Sequence, residues 1–324
     1  ALRRRRGGPL ESGHPRLPAR TAREPQPVRR PDAPDPVQPR ENLVTWRIRI
    51  EHSTGYRYAS PVLSSYNEVR IVPQTAGTQL TLEATVGTEP AATTYRYWDY
   101  WGTQVTAFDL HTPHTELVVT GRSTVQTATA PERPRDVPTW AELGDEPVTD
   151  EFIEFLRPSA STGEDPELVE AARDLAARLA PRDLLPAVSD WVRERLTYRP
   201  GTTGVHTSAV EAWHKGEGVC QDFAHLALVL MRAAGMPGRY VSGYLHPSAQ
   251  AEVGETVEGQ SHAWVEGWLG EWWGFDPTNA VPVGEQHVVV ARGRDYNDVP
   301  PVRGVFSGGQ STSLGVTVAV TRLA

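Results

Sequence analysis

Gly218-Val219-Cys220-Gln221-Asp222-Phe223-Ala224-His225 contains the only cysteine of the 324-residue chain. From Cys220 to Ala234 there is no Gly, Pro or Thr and a single β-branched residue, Val229; Gly235 and Pro237 follow as a stop. The spacing predicts a helix that is apolar almost all round, and so buried at the centre of its domain. Gly216 and Gly218 let the backbone turn sharply into its first turn. Cys220 therefore opens a helix, where unpaired N–H groups and the macrodipole favour thiolate over thiol. The same N–H groups can receive the oxyanion of a tetrahedral intermediate.

Outward from this helix, Gly238 to His246 reads as a strand rich in Tyr and Val. Pro247 to Gln260 is polar, with Gly254 and Gly259, and reads as a long hairpin loop. Its Glu252, Glu255 and Glu258 would give an overhanging, acidic rim that attracts amines or basic peptides. Ser261 to Leu269 is the return strand, with His262, Trp264, Glu266 and Trp268 on one face; Trp272 to Asp276 is a third. His262 follows Cys220 by 42 residues and Asp276 follows His262 by 14. Antiparallel neighbours can bring the ends bearing His262 and Asp276 together. A thiol, an imidazole to take its proton and a carboxylate to orient the imidazole are what thiol-based acyl transfer needs.

Other polar residues near these runs have plainer readings. His225 lies about 140° round the helix from Cys220 and is expected to pack under the site rather than act as base. Asp222, in the first turn, complements the dipole or faces substrate. Tyr198, Trp213 and Gln221 are candidate second oxyanion donors; Tyr198 is favoured because Thr197-Tyr198-Arg199-Pro200 leads into the loop facing the thiol. His206, His214, His246 and His287 read as ordinary loop or strand residues, and Asp295 and Asp298 as cleft or cation-facing carboxylates. With one Cys, no His pair at i, i+4 and no calcium-loop pattern, no metal and no cofactor are expected.

Gly-Val-Cys220-Gln-Asp-Phe-Ala-His, Ser-His262-Ala-Trp-Val-Glu and Phe-Asp276-Pro-Thr-Asn resemble the three motifs of the transglutaminase-like superfamily. The resemblance is to its bacterial branch, in which a β-rich N-terminal domain precedes the core. Leu-Thr-Tyr198-Arg-Pro-Gly-Thr, Met236-Pro-Gly-Arg-Tyr-Val-Ser-Gly-Tyr and Gly293-Arg-Asp-Tyr-Asn-Asp-Val-Pro-Pro agree with it, and the likeness runs from about Val44 to the C-terminus. It implies a papain-like α+β core of helices on an antiparallel sheet, with Cys220 as nucleophile, His262 as base and Asp276 as orienter. The superfamily holds cross-linking transferases, peptidases and amidases. The expected reaction is thus acyl transfer from protein or peptide amides to an amine co-substrate. Hydrolysis by the same triad is the alternative, and a non-catalytic scaffold is disfavoured by the intact triad.

The remaining sequence divides into four stretches. Residues 1–42 hold nine prolines, ten arginines and five acids, a local charge of +5 that leaves −13 for the rest of a chain of net −8. Such a tail is expected to be disordered. No apolar segment follows Arg3-Arg4-Arg5-Arg6, so no secretion signal is expected there. Residues 43–130 alternate as short strands, beginning with Trp46, Ile48 and Ile50, and suggest a small β-sandwich in which Tyr95, Tyr97, Trp98 and Trp101 pack a core. Residues 131–150 read as a linker and 151–324 as the catalytic core. There, helices are expected from Asp165-Pro166, from an Asp183 cap and from a Ser208–Glu211 capping box. Val288 to Ala291 and Leu314 to Val320 should close the core sheet. The 32 basic residues are all Arg save Lys215, which fits a GC-rich genome. An acidic body argues against nucleic-acid partners, no apolar run reaches the ~20 residues of a membrane span, and a lone cysteine fits a reducing, cytoplasmic setting.

Overall fold

The computed structural model describes residues 45–324 except 130 and 260, so the tail expected over 1–42 lies outside the described residues. The chain opens with β1 (Thr45–Val69), β2 (Gln79–Glu89), β3 (Thr94–Trp98), β4 (Gln104–Leu110) and β5 (His114–Ala128). Helices α1 (Trp140–Leu143), α2 (Glu146–Glu151), α3 (Ile153–Leu156), α4 (Pro166–Arg178) and α5 (Pro181–Arg195) follow. Then come β6 (Thr197–Tyr198), α6 (Ala209–Lys215), β7 (Glu217–Gly218) and α7 (Cys220–Ala233). The chain continues with β8 (Gly238–Leu245), β9 (Thr256–Gly259), β10 (His262–Trp268), β11 (Trp272–Asp276), β12 (Val281–Pro282) and β13 (His287–Gly293). It ends with β14 (Val302–Gly308) and β15 (Ser311–Arg322).

Helix α7 is the hub, as its composition requires. Phe223 to Met231 are all buried, and α4, α5 and α6 pack around it. Fully burying side chains such as Leu226, Leu228 and Leu230 contributes about 1.5–3 kcal/mol each before entropy is counted. The opposite side of α7 rests on a five-stranded antiparallel sheet ordered β12-β11-β10-β8-β13. Helices on an antiparallel sheet are the papain-like α+β arrangement expected. Locally, α4 begins with Asp165 accepting the Glu167 N–H at 2.9 Å and Pro166 at its first position. Helix α6 carries the Ser208–Glu211 capping box and ends at Gly216, whose φ of 71° is the left-handed stop that glycine tolerates. Helix α5 starts at Pro181 after Ala180, two residues before the expected Asp183 cap.

The N-terminal strands form a second antiparallel sheet around β1. This strand runs 25 residues and pairs with β5 and β15 along its first half and with β4 and β14 along its second. Tyr58, Val62 and Val69 of β1 share one apolar cluster with Phe108, Leu110, Leu117 and Val119. Four expectations are corrected here. First, β15 does not close the core sheet; it pairs with β1 from Ile48↔Arg322 to Tyr58↔Ser311, so the chain's last strands belong to the N-terminal sheet. Alternating Val316, Val318 and Val320 mark a half-buried strand without saying which sheet buries it. Second, the stretch 247–260 is not a bare hairpin loop over the thiol. It carries β9, which hydrogen-bonds to β15 from Val318↔Gly259 to Thr321↔Thr256, and Arg322 Nη1 donates to the Ala251 carbonyl at 2.6 Å. Third, Tyr95 and Trp98 are not core residues but are 59% and 68% exposed. Finally, the stretch expected as a linker contains α1 and α2.

Candidate active site

A parallel two-residue pair, β6 with β7, delivers the chain to the thiol: Tyr198 lies opposite Gly218, and the Arg199 N–H donates to the Gly218 carbonyl at 2.8 Å. Gly218 is required because a Cβ there would stand 2.6 Å from Cβ of Asp222. That close approach lets Asp222 Oδ2 accept the Val219 N–H at 2.7 Å and the Thr203 hydroxyl at 2.6 Å. Asp222 is wholly buried, and burial raises its pKa against the pull of these two donors. It caps the helix and does not face substrate. Gln221 is also buried, and its amide reaches the carbonyls of Gly204 and Val205, so it holds that loop rather than facing the thiol. Cys220, the first residue of α7, is partly exposed.

Strand pairing brings an imidazole and a carboxylate together. His262 begins β10 opposite Gly243 of β8, and Asp276 ends β11 beside it. His262 Nε2 lies 2.7 Å from Asp276 Oδ2. The ring's other nitrogen, Nδ1, is thereby left for Cys220, a neighbour whose side chain raises the pKa of His262. Burial alone would lower the pKa of this imidazole, but the hydrogen bonds and charges of Asp276 and Cys220 push it up to about 10. Burial likewise opposes the charge on Asp276, yet hydrogen bonds from His262 and His287 hold its carboxyl far below the usual carboxylate range. A cationic imidazole beside a charged, buried carboxylate is the state these two shifts favour.

The carboxylate is heavily anchored. Asp276 Oδ1 accepts the N–H groups of Thr278 and Asn279 at 2.9 and 3.3 Å. Oδ2 accepts the Asn279 side-chain amide at 2.7 Å in addition to His262. His287 Nε2 approaches the same oxygen at 3.4 Å. Trp264, fully buried on the His262 face of β10, walls the group with its ring 5.2 Å from His287 and 6.1 Å from His262.

The remaining expected residues divide by position. Tyr198 stands beside the site: its hydroxyl pKa is raised by burial first and then by the charges of Cys220 and Asp276. The ring is 51% exposed and packs against Phe223. His225 is fully buried; its Nε2 accepts the Tyr296 N–H at 3.2 Å, and burial pushes its pKa down to about 4. It is a neutral strut beneath the helix. Trp213 stacks on Trp191 at 5.2 Å. Asp295 accepts from Ser159 and Asn297, and Asp298 pairs with Arg294, so neither is a free carboxylate for a cation. Among the described residues no cluster of His, Cys, Asp and Glu has the form of a metal site, and no helix is long and apolar enough to cross a membrane.

Sequence reasoning missed two residues that hold Asp276. Asn279 was readable: an Asp followed two and three residues later by free N–H groups is an Asx turn, and an Asn at that third position can reach back. His287 had no local signal, because only the crossing of residues 277–286 over the end of the sheet brings it there.

Fold and site together define a papain-like α+β protein with a thiol at the start of a buried helix and an imidazole bonded to a buried carboxylate. The model of the transglutaminase-like superfamily matches residues 170–277, and that of the bacterial transglutaminase-like N-terminal region matches residues 48–126. The chain belongs to the transglutaminase-like superfamily, in its bacterial branch. An uncharacterized protein of Mycobacterium leprae is 50% identical over 279 residues, 86% of this chain and 100% of the relative. One of Mycobacterium tuberculosis is 33% identical over 309 residues, 85% of this chain and 93% of the relative. A crystal structure from Cytophaga hutchinsonii, described provisionally as that of a cysteine protease, superposes with a TM-score of 0.66 at 23% identity. It covers 86% of this chain and 98% of its own, and shows the shared fold.

Proposed function

We propose that this protein is a thiol acyltransferase acting on amide bonds of protein or peptide substrates. The observation that carries the reading is His262, bonded through Nε2 to a buried, fivefold-anchored Asp276, with Cys220 near enough to raise the pKa of the same ring. The thiol's proton resides on His262, and Sγ of Cys220 attacks the amide carbon. The oxyanion forms against the backbone N–H groups at the start of α7, whose first N–H groups have no intrahelical acceptor. Tyr198, beside the thiol, offers its hydroxyl as a second donor. Collapse of the tetrahedral intermediate breaks the C–N bond, and His262 returns its proton to the departing ammonia or amine. The thioester left on Cys220 is then attacked by a second amine, whose proton His262 accepts before handing it to the released thiolate. Water in place of that amine gives peptidase or amidase action by the same steps.

Family membership supports an amine acceptor as well as water, so the test separates them. A peptide library is incubated with and without a small primary amine, and ammonia release is followed alongside backbone cleavage. Ammonia release with amine incorporation is the expected result. Backbone cleavage without incorporation assigns the protein to the peptidases. Neither product, from a protein whose thiol alkylates readily, contradicts the acyl-transfer reading.

A further inference from the structure

His287 has no place in the three-residue reading, yet it is 4% exposed and lies against the same carboxylate oxygen as the base. Its protonation is fixed by geometry. The backbone N–H of Gly284 points at His287 Nδ1 at 3.3 Å, so Nδ1 is an acceptor and carries no proton. The ring proton is therefore on Nε2, directed at Asp276 Oδ2 at 3.4 Å. The contact is longer than the two 2.7 Å bonds from His262 and Asn279 because three donors converge on one oxygen. Backbone bonds hold the histidine in place: its N–H donates to the Gly284 carbonyl at 2.9 Å, and it pairs with Leu245 at the start of β13. Trp264 covers one side of the ring.

We propose that His287 is a positioning residue: as a neutral Nε2–H donor it keeps Asp276 Oδ2 charged and aimed at His262. The inference rests on the acyl-transfer reading of Cys220, His262 and Asp276. Two imidazoles thus share one carboxylate, their ring centres 6.4 Å apart. They cannot both be cationic at that distance without repulsion. Gly284 settles which is neutral, leaving the positive charge to His262. Burial acts in the same direction on His287, lowering its pKa against the pull of Asp276, while His262 lowers it further and Glu285 raises it. The other titratable groups beside the cluster are Cys220 and Tyr198, with Tyr240 acting on the thiol. Among these, Tyr198 senses Asp276 as well as the thiol.

The test uses the single cysteine as its own reporter. Iodoacetamide alkylation of Cys220 is measured against pH in the wild type, His287→Leu and His287→Gln, with thermal unfolding of each. Leucine removes the donor; glutamine keeps an N–H for Asp276 and an acceptor for Gly284. Loss of the donor should raise the pH of half-maximal alkylation by roughly one unit, since a buried carboxylate with one fewer donor takes up a proton more readily and is free to turn from His262. On a peptide substrate kcat should fall about tenfold with KM unchanged. His287→Gln should restore both to within about twofold of the wild type. A purely structural histidine would lower the unfolding temperature and leave the alkylation profile where it was, which overturns the proposal. So would a glutamine variant as impaired as the leucine one. If His287→Leu does not fold, His287→Met, flexible enough to fill the same space, is measured instead and read the same way. A wild type that alkylates only as an unassisted thiol overturns the triad reading itself; a wild type that alkylates at low pH beside an unshifted, folded leucine variant overturns only the role of His287.

Discussion

Replacing Asp276 by Asn keeps the shape of the orienting group and removes its charge. In the wild type the buried carboxylate accepts five hydrogen bonds, three of them on Oδ2 from His262, His287 and Asn279. An asparagine that keeps its carbonyl toward the Thr278 and Asn279 N–H groups must turn its NH2 toward those three donors. The charge-assisted bond to His262 is then lost, at about 1.5–3 kcal/mol. At ~1.4 kcal/mol per decade this is roughly a 10- to 150-fold drop in the imidazolium-bearing state at neutral pH. Iodoacetamide alkylation of the one cysteine, followed by intact mass between pH 6 and 7, should slow by that factor, and turnover should fall at least as far. The pH dependence has a definite sign. His262 is raised from 6.5 to about 10, so its charged form contributes stability that is complete below 6.5 and is lost as pH rises through about 10. Asp276 is depressed, so its contribution is present above its ordinary 3.8 and is lost as the solution is acidified further. The asparagine variant should lack the acid slope and keep only a smaller alkaline one, because Cys220 still raises His262. A folded variant that alkylates within about twofold of the wild-type rate at pH 6–7 would refute the claim that Asp276 supports the charge on His262.

Three other outcomes follow from the packing. Glu266 is buried between Arg292, bonded at 2.9 and 3.0 Å, and Arg239, and these charges hold its carboxyl low against burial. Glu266→Gln should therefore cost about 3–5 kcal/mol in urea unfolding at pH 7, and less as pH falls below 4.5, where the unfolded wild type takes up a proton, toward the lowered value of the folded protein. Arg232 is buried, and its guanidinium donates to the carbonyls of Phe155, Gly238 and Arg294 and to the Thr162 hydroxyl. Arg232→Met should lose on the order of 3 kcal/mol or more by the same measurement, because each orphaned buried acceptor costs about 1–3 kcal/mol. Removal of residues 311–324 should expose β1 and β9 to proteolysis together, since β15 lies between them; a truncated chain as protease-resistant as the full one contradicts that sheet order.

What was legible in the sequence was local. Helix α7 could be bounded from its lack of breakers and from Gly235, the α6 cap from Ser208 and Glu211, and the order of thiol, imidazole and carboxylate from three short motifs. Each depends on residues within a few positions of one another. Pairings over long separations were not legible. The alternation from Leu314 to Val320 specifies a half-buried strand equally well in either sheet, and only contact with β1, more than 250 residues away, decides between them. Strand β3 reads as core because its aromatics favour strands, yet Thr94 to Trp98 pairs with β4 and leaves Tyr95 and Trp98 in solvent. The same limit hid His287. In sequence it is a histidine before a run of valines; in space it is a third donor to Oδ2 of Asp276.

Acyl transfer of the kind proposed requires Cys220 to form a covalent acyl intermediate, and intact-mass spectrometry tests that directly. The protein is mixed with a glutamine-containing peptide library, quenched in acid within seconds to preserve a thioester, and digested to locate the adduct. The account requires acyl mass on the peptide bearing Cys220, removal of that mass by added primary amine or hydroxylamine, and its absence from Cys220→Ala. Amide turnover that persists in Cys220→Ala, or turnover by the wild type through an adduct on any other residue, would contradict it.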